Sequence, residues 1–306
     1  MRRGWGLLGA VVATAVAATA CTVPSTWPDG SVPQVPPIGL NGMVAEPTST
    51  GDAVWAADFL GRQVLRLDPA TGVIDERYGG LCDTDDVVVA PDRSLVVTCP
   101  TSGLVIRVPR GGAMQVLADV GVDVNPIALE PDGTAVVVGF GSSDGRLLRV
   151  PLDGGPTQVV ASGLPPLNGF GFGPDGLLYV PTGGPAALLG GIGGLAAVDT
   201  TTGTFTQVDL EFDDPGKVGF GFAVGVDVAE DGAVFVAQAF PPAVYEVDPA
   251  TGRADLVGTS PFFTADNLVL LSDRSVVLSG FLGRDLVVFT PDSHGGWTSR
   301  TTSVGS

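Results

Sequence analysis

Lysine is all but absent from this chain. Lys217 is the single one in 306 residues, and Lys plus Arg total 15 against 33 Asp plus Glu, a net charge of −18. So acidic a chain repels phosphate backbones, which excludes nucleic acid as a partner. Histidine is as scarce: His294 stands alone in a Gly-rich terminal turn, so a histidine base or a histidine metal site is not expected. Long apolar runs are missing too. The stretches 7–20 and 185–198 reach only 14 residues each, short of a membrane-spanning helix, and the second holds four glycines.

What is present is turn and strand chemistry. The sequence carries 45 Gly and 25 Pro, with Val, Leu, Phe and Thr in short runs. The runs repeat: DVVVAPDRSLVV after Asp85, PIALEPDGTAVV after Asn125, GFGFGPDGLLYV after Asn168, GVDVAEDGAVFV after Val224, NLVLLSDRSVVL after Asp266. A weaker copy turns at Gly51-Asp52, which makes Val44 its equivalent position. Successive copies lie 40–43 residues apart, with one interval of 56. A second strand recurs downstream in each unit, as in VLRLDPATG (64–72) and VYEVDPATG (244–252). Units of this length, made of short strands and Gly/Pro/Asp turns, match a four-stranded propeller blade. The chain therefore reads as all-β: one six-bladed β-propeller over 38–299 with a C-terminal tail at 300–306. Residues 32–45 are expected to close the ring as an outer strand beside 286–302.

The first residues read as an export signal, 1–20: Arg2 and Arg3, the apolar stretch, then Ala18-Thr19-Ala20 and Cys21. Small residues before a cysteine resemble a bacterial lipobox, which would make Cys21 the lipidated first residue of a lipoprotein at the outer face of the cell membrane. Ordinary secretion after A-T-A is the alternative. Residues 21–37 hold five prolines and read as an extended tether. In an exported chain Cys82 and Cys99, one before an inner strand and one ending the next, are expected to form a disulfide.

In a propeller the inner strands line the channel, so equivalent positions form a ring at one mouth. That ring reads Val44, Asp85, Asn125, Asn168, Val224 and Asp266. Two carboxylates and two amide oxygens make a hard-oxygen set suited to Ca²⁺ or Mg²⁺ rather than to copper. Converging carboxylates need a counter-ion or a proton, and Asp85 and Asp266 are the candidate catalytic groups. Asp and Asn also cap loops by bonding nearby backbone, the competing reading. Glu46 is a candidate further ligand. The long interval brings the loops 182–194 and 211–224 to the same end, where Phe212, Phe220, Phe222 and Lys217 could roof a small-molecule pocket. The repeated FLGR (59–62 and 281–284) reads as blade architecture.

Taken with their spacing, GFGFGPDGLLYVP, NPIALEPDG, DDVVVAPDRSLVVTC and ADNLVLLSDRSVVLSGF resemble the gluconolactonase, senescence-marker-protein and luciferin-regenerating-enzyme family over about 40–290. The resemblance implies a six-bladed propeller with one divalent cation at the mouth and hydrolysis of a lactone. It implies a substrate- or metal-side role for Asn125, a ligand role for Asn168 and one for Glu46. Val224 stands where the family carries a metal-binding aspartate. A non-catalytic propeller that binds a ligand or an envelope protein, as a monomer, is the alternative.

Overall fold

The computed structural model describes residues 35–141, 145–183, 193–214 and 216–305; the signal, Cys21, most of the tether and most of the loop 182–194 lie outside them. Blade one is β1 (Leu40–Thr48), β2 (Gly51–Asp58), β3 (Gln63–Leu67) and β4 (Ile74–Gly79). Blade two is β5 (Val87–Val89), β6 (Leu95–Cys99), β7 (Leu104–Val108) and β8 (Gln115–Asp119). Blade three is β9 (Val124–Leu129), β10 (Ala135–Phe140), β11 (Gly145–Pro151) and β12 (Gln158–Leu164). Blade four is β13 (Gly171–Phe172), β14 (Leu178–Thr182), β15 (Gly194–Asp199) and β16 (Thr204–Gln207). After β17 (Glu211–Phe212), blade five is β18 (Ala223–Val228), β19 (Val234–Gln238), β20 (Ala243–Val247) and β21 (Arg253–Thr259). Blade six is β22 (Leu268–Leu270), β23 (Val276–Ser279), β24 (Asp285–Pro291) and β25 (Trp297–Ser303). Each blade is an antiparallel meander, and β17 adds a parallel fifth strand outside β21. The inner strands touch in the closed cycle β1, β5, β9, β13, β18, β22 and back to β1. This is a six-bladed propeller.

The repeated P-D-x turn has a local cause. In five blades an aspartate carboxylate accepts the backbone N–H two residues on, at 2.9–3.2 Å: Asp92, Asp132, Asp175, Asp231 and Asp273. The residue between is left-handed. Gly133, Gly176 and Gly232 supply it without steric cost, and Arg93 and Arg274 adopt it at φ 67°.

Packing follows from strand alternation. Side chains of a middle strand point by turns at the two neighbouring blades, so these strands are apolar throughout rather than half polar. In β2, Val54 and Ala56 face blade six while Trp55 and Ala57 face blade two. In β19, Val234 and Val236 face blade four while Phe235 and Ala237 face blade six. One apolar cluster fills each blade interface.

Two expectations change. The ring closes without exchange of strands: residues 40–48 are the inner strand of blade one, and the outer strand of blade six is β25. The ends meet at a parallel bridge between Gly39 and Gly283, and Asp58 accepts the N–H groups of Ile38, Gly39 and Gly61. The last strand also runs to Ser303, with Val304 buried, so residues 300–303 belong to the sheet rather than to a tail.

Cys82 and Cys99 are bonded, closing a 17-residue separation across the mouth end of blade two. Limiting the unfolded chain by a loop of that size is worth about 3 kcal/mol. Replacing both by serine is expected to lower the melting temperature by roughly 6–12 °C in calorimetry, and an unchanged melt would show the cross-link to be idle.

Candidate functional site

Five of the six inner strands begin with the same irregularity. In blade two, Asp85 and Asp86 both face Thr98: the Asp85 N–H donates to the Thr98 carbonyl, and the Thr98 N–H to the Asp86 carbonyl. Asp266 and Asn267 stand likewise opposite Ser279. Register shifts fall at the matching places in β1, β9 and β18. A bulge of this kind turns two successive residues toward the axis and bends the strand.

The bulge positions assign the ring. They are Asn41-Gly42, Asp85-Asp86, Asn125-Pro126, Val224-Gly225 and Asp266-Asn267, with Asn168-Gly169 at the corresponding point of blade four. Asn41, not Val44, is thus the blade-one member; Val44 matches Val88. The first hairpin is three residues longer than the second: Glu46 pairs with Ala53, where Ala90 meets Ser94. An alignment made on turn tips slips by that amount.

At the first bulge position Asn41 Nδ2 donates to Asp85 Oδ1 at 2.7 Å, and both residues are buried. Asn41 Oδ1 is buried without a hydrogen-bond partner. Desolvation, then the charges of Asp266, Asp83 and Asp123, push the Asp85 carboxyl far above its ordinary range. Desolvation followed by the charge of Asp86 lifts Asp266 to about 7. Among the described residues no cationic side chain offsets either one. Asn125 lies in this quarter beside Asp123 and Gly141, and its carbonyl accepts the Thr98 hydroxyl at 2.6 Å. Asn168 Oδ1 accepts the N–H of Gly169, its own neighbour, so Asn168 caps its loop. Val224 is buried in the interface of blades five and six and offers no oxygen.

The second bulge position fills the channel. Asp86 accepts Val87 N–H and, from blade three, Ile127 N–H. A Cβ on Gly42 would stand 1.9 Å from Asp86 Oδ1, and one on Gly169 or Gly225 would collide with Asn267. Three glycines therefore make room for two polar side chains. Beyond them a cavity of about 330 Å³ runs along the axis, lined by Val44, Val88, Ala128, Gly171 and Val269 with one further carboxylate, Asp227. Asp227 ties blade five to blade six through Leu270 N–H at 2.8 Å, and burial raises its carboxyl to about 6. Sequence reasoning missed Asn41, Asp86 and Asp227. The Asn-Gly and Asp-Asp pairs were visible, but not which member reaches the axis.

Other candidates lie elsewhere. Glu46 sits at the far end of β1, where it accepts from Trp55 Nε1, Arg66 Nε, Arg93 and Arg110 at 2.8–3.1 Å. Those donors hold its carboxyl at about 2 against the cost of burial. Phe220 is core, packed at 5.4 Å on Phe212 and 5.5 Å on Tyr245 between blades four and five. Lys217 Nζ lies over the Phe212 and Tyr245 rings and donates to Gln238. Phe222 is partly buried against the next interface. His294 is at an exposed turn. Among the described residues no group of three or more His, Cys, Asp or Glu side chains is placed to hold a metal ion, so any cation here would rest on mixed carboxylate and amide oxygens.

Comparison of the coordinates with solved structures places the chain. A gluconolactonase from Xanthomonas campestris superposes with a TM-score of 0.61 at 18% identity, over 86% of each chain. The chain has the fold of the gluconolactonase propellers. A calcium-binding protein, regucalcin from Agrobacterium tumefaciens, matches at 0.60 and 16% identity over 88% of this chain and 91% of its own. Virginiamycin B lyase from Staphylococcus aureus matches at 0.60 and 10% identity, over 88% and 85%. At such identities the likeness concerns the fold alone. No protein-family model and no curated protein matches at the level of sequence.

Proposed function

We propose that the chain is an exported propeller that binds a small ligand at its mouth, with a divalent cation as counter-ion to Asp85 and Asp266. The observation that carries this is a pair of desolvated carboxylates, Asp85 buried and Asp266 half-buried, with no cationic neighbour among the described residues, beside the unpartnered Asn41 Oδ1. An orphan buried oxygen costs roughly 1–3 kcal/mol, which a bound cation or its water would recover. Asp85, Asp266, Asn41 and Asn125 would hold it, and a hard ion such as Ca²⁺ suits oxygen donors. When bound it would polarise a carbonyl and lower the pKa of a water. The calcium-binding regucalcin shares the fold and supports this choice of ion. Glu46 is not in the proposed set because three arginines already occupy its carboxylate.

Hydrolysis of a lactone or ester is the second reading, favoured by Asp266: a carboxyl lifted to about 7 is suited to act as a general base at neutral pH. Val224, without an oxygen, weighs toward binding alone. Export is supported by the Arg2-Arg3 start, Ala18-Thr19-Ala20-Cys21 and the Cys82–Cys99 bond. Lipidation of Cys21 would fix the protein to the membrane.

Calcium titration checks the site. At a hundredfold excess over the dissociation constant, calcium is expected to add about 2.7 kcal/mol, a melting shift of roughly 5–10 °C. The Asp85→Asn, Asp266→Asn double variant should show no shift. A shift that persists in that variant would move the cation elsewhere. A lactone panel with and without chelator then separates hydrolysis from binding.

A further inference from the structure

The two faces of the propeller differ in chemistry. Turns on the far face are built from P-D-R-S, P-D-G and D-P-A-T-G, which are mainly polar, with Val73 exposed beside one of them. On the mouth face run the connections from second to third strands and from each outer strand to the next inner one. These expose large apolar side chains: Phe263 is 82% and Leu282 67% accessible, with Leu60, Val218, Phe240 and Phe281 also exposed.

Most of the apolar residues form one arc. Phe240 of blade five stacks edge-on against Phe263 at 5.7 Å. Gly280, two residues before Leu282, lies against Phe262. Phe281 faces Phe59 of blade one at 6.3 Å, and Leu60 follows. The arc thus passes over blades five, six and one, and Asp266 ends the same connection that carries Phe263. Across the mouth, blades two and three contribute Asp83, Asp85 and Asp123, and the charges of Asp83 and Asp123 lie close enough to Asp85 to raise its cost of ionisation. One half of the rim is apolar; the other is mainly acidic, with Val122 exposed in it and Arg146 lying over the Phe140 ring.

A polar sugar ring would leave the apolar half against water, and a pure hydrocarbon would leave the buried oxygens unmet. From this we infer that the ligand is an uncharged amphiphile, a lactone or ester with a medium-length hydrocarbon chain. Its oxygens lie toward Asp85 and Asp266, and its chain lies along Phe240, Phe263, Phe281 and Leu282. This rests on the mouth being the binding site proposed above.

Calorimetric titration of the full-length protein tests it with δ-hexalactone, δ-dodecalactone and glucono-δ-lactone, each with calcium and with chelator. The dodecalactone is expected to bind at least about tenfold more tightly than the hexalactone, from burial of part of its six extra methylenes. Glucono-δ-lactone should be weaker still. Phe263→Ser with Leu282→Ser changes two exposed side chains, so the fold is kept, and it should abolish the chain-length preference. Absence of that preference, or its survival in the variant, overturns the inference. Phosphatidylcholine vesicles form a separate arm: if they bind through Phe263 and Leu282 while no lactone does, the occupant is a lipid surface and the inference falls. A calcium-induced melting shift without chain-length preference sinks the inference but leaves the cation site standing. A preference that persists in chelator and depends on Phe263 supports the arc even if the cation reading fails.

Discussion

Raising the pH from 5 to 8 without divalent cations is expected to destabilise the propeller, the reverse of what a surface rich in carboxylates paired to arginine would do. Desolvation raises Asp85 and Asp86, lifts Asp227 to about 6 and Asp266 to about 7, while in the unfolded chain each ionises near 4. Between those values the folded protein holds more protons than the unfolded one, so stability falls as pH rises. The contribution is whole below pH 4 and is lost as pH passes through 6 and then 7. Asp227 alone, lifted by burial to about 6, represents roughly 3 kcal/mol. Glu46 works the other way: held at about 2, it stabilises above pH 4.5 and loses this as pH falls toward 2. The optimum should therefore lie near pH 5. Denaturant titrations at pH 5, 6.5 and 8 measure it, and a flat or rising profile would show that these carboxyls are solvated. Calcium should restore more at pH 8 than at pH 5, because the cation needs ionised Asp85 and Asp266.

Glu46→Ala is expected to cost about 3–5 kcal/mol, since it strands guanidinium groups that now share one buried carboxylate. Arg66 keeps Asp75, and Arg110 keeps its place over the Trp55 ring at 5.2 Å, but neither replaces what Glu46 accepts. The arginines come from two blades, Arg66 from β3 and Arg93 and Arg110 from the turns of blade two, so the loss loosens the seam between them. Glu46→Gln, which retains an acceptor oxygen, should cost less. Both variants should respond to calcium as the parent does. If Glu46→Ala melts like the parent but loses its calcium shift, Glu46 is a ligand after all and the ring drawn here is wrong.

Much of the fold was legible in the residues. The P-D-x turns, the Asp or Asn opening most inner strands and the alternating strands recur because each is fixed by contacts within a few residues. Counting them gave six blades, and the position of Cys82 and Cys99 on one hairpin gave their pairing. The errors arose where distance along the chain stopped reporting distance in space. The longer first hairpin shifted the ring from Asn41 to Val44 and brought Glu46 into a set it does not join. Phe220 looked like a pocket roof because its loop is long, yet Tyr245, 25 positions away, draws it into the core.

By itself the sequence determined the blade, its count and its acidic character, since turn chemistry and strand period are local properties of the backbone. Only the tertiary structure decided which of two adjacent polar residues looks into the channel. At the bulges of blades two and six the outcome depends on glycines contributed by other blades: Gly42 admits Asp86, and Gly169 and Gly225 admit Asn267. Room at the centre of a ring is set by all six walls together, and no single stretch of chain contains that information.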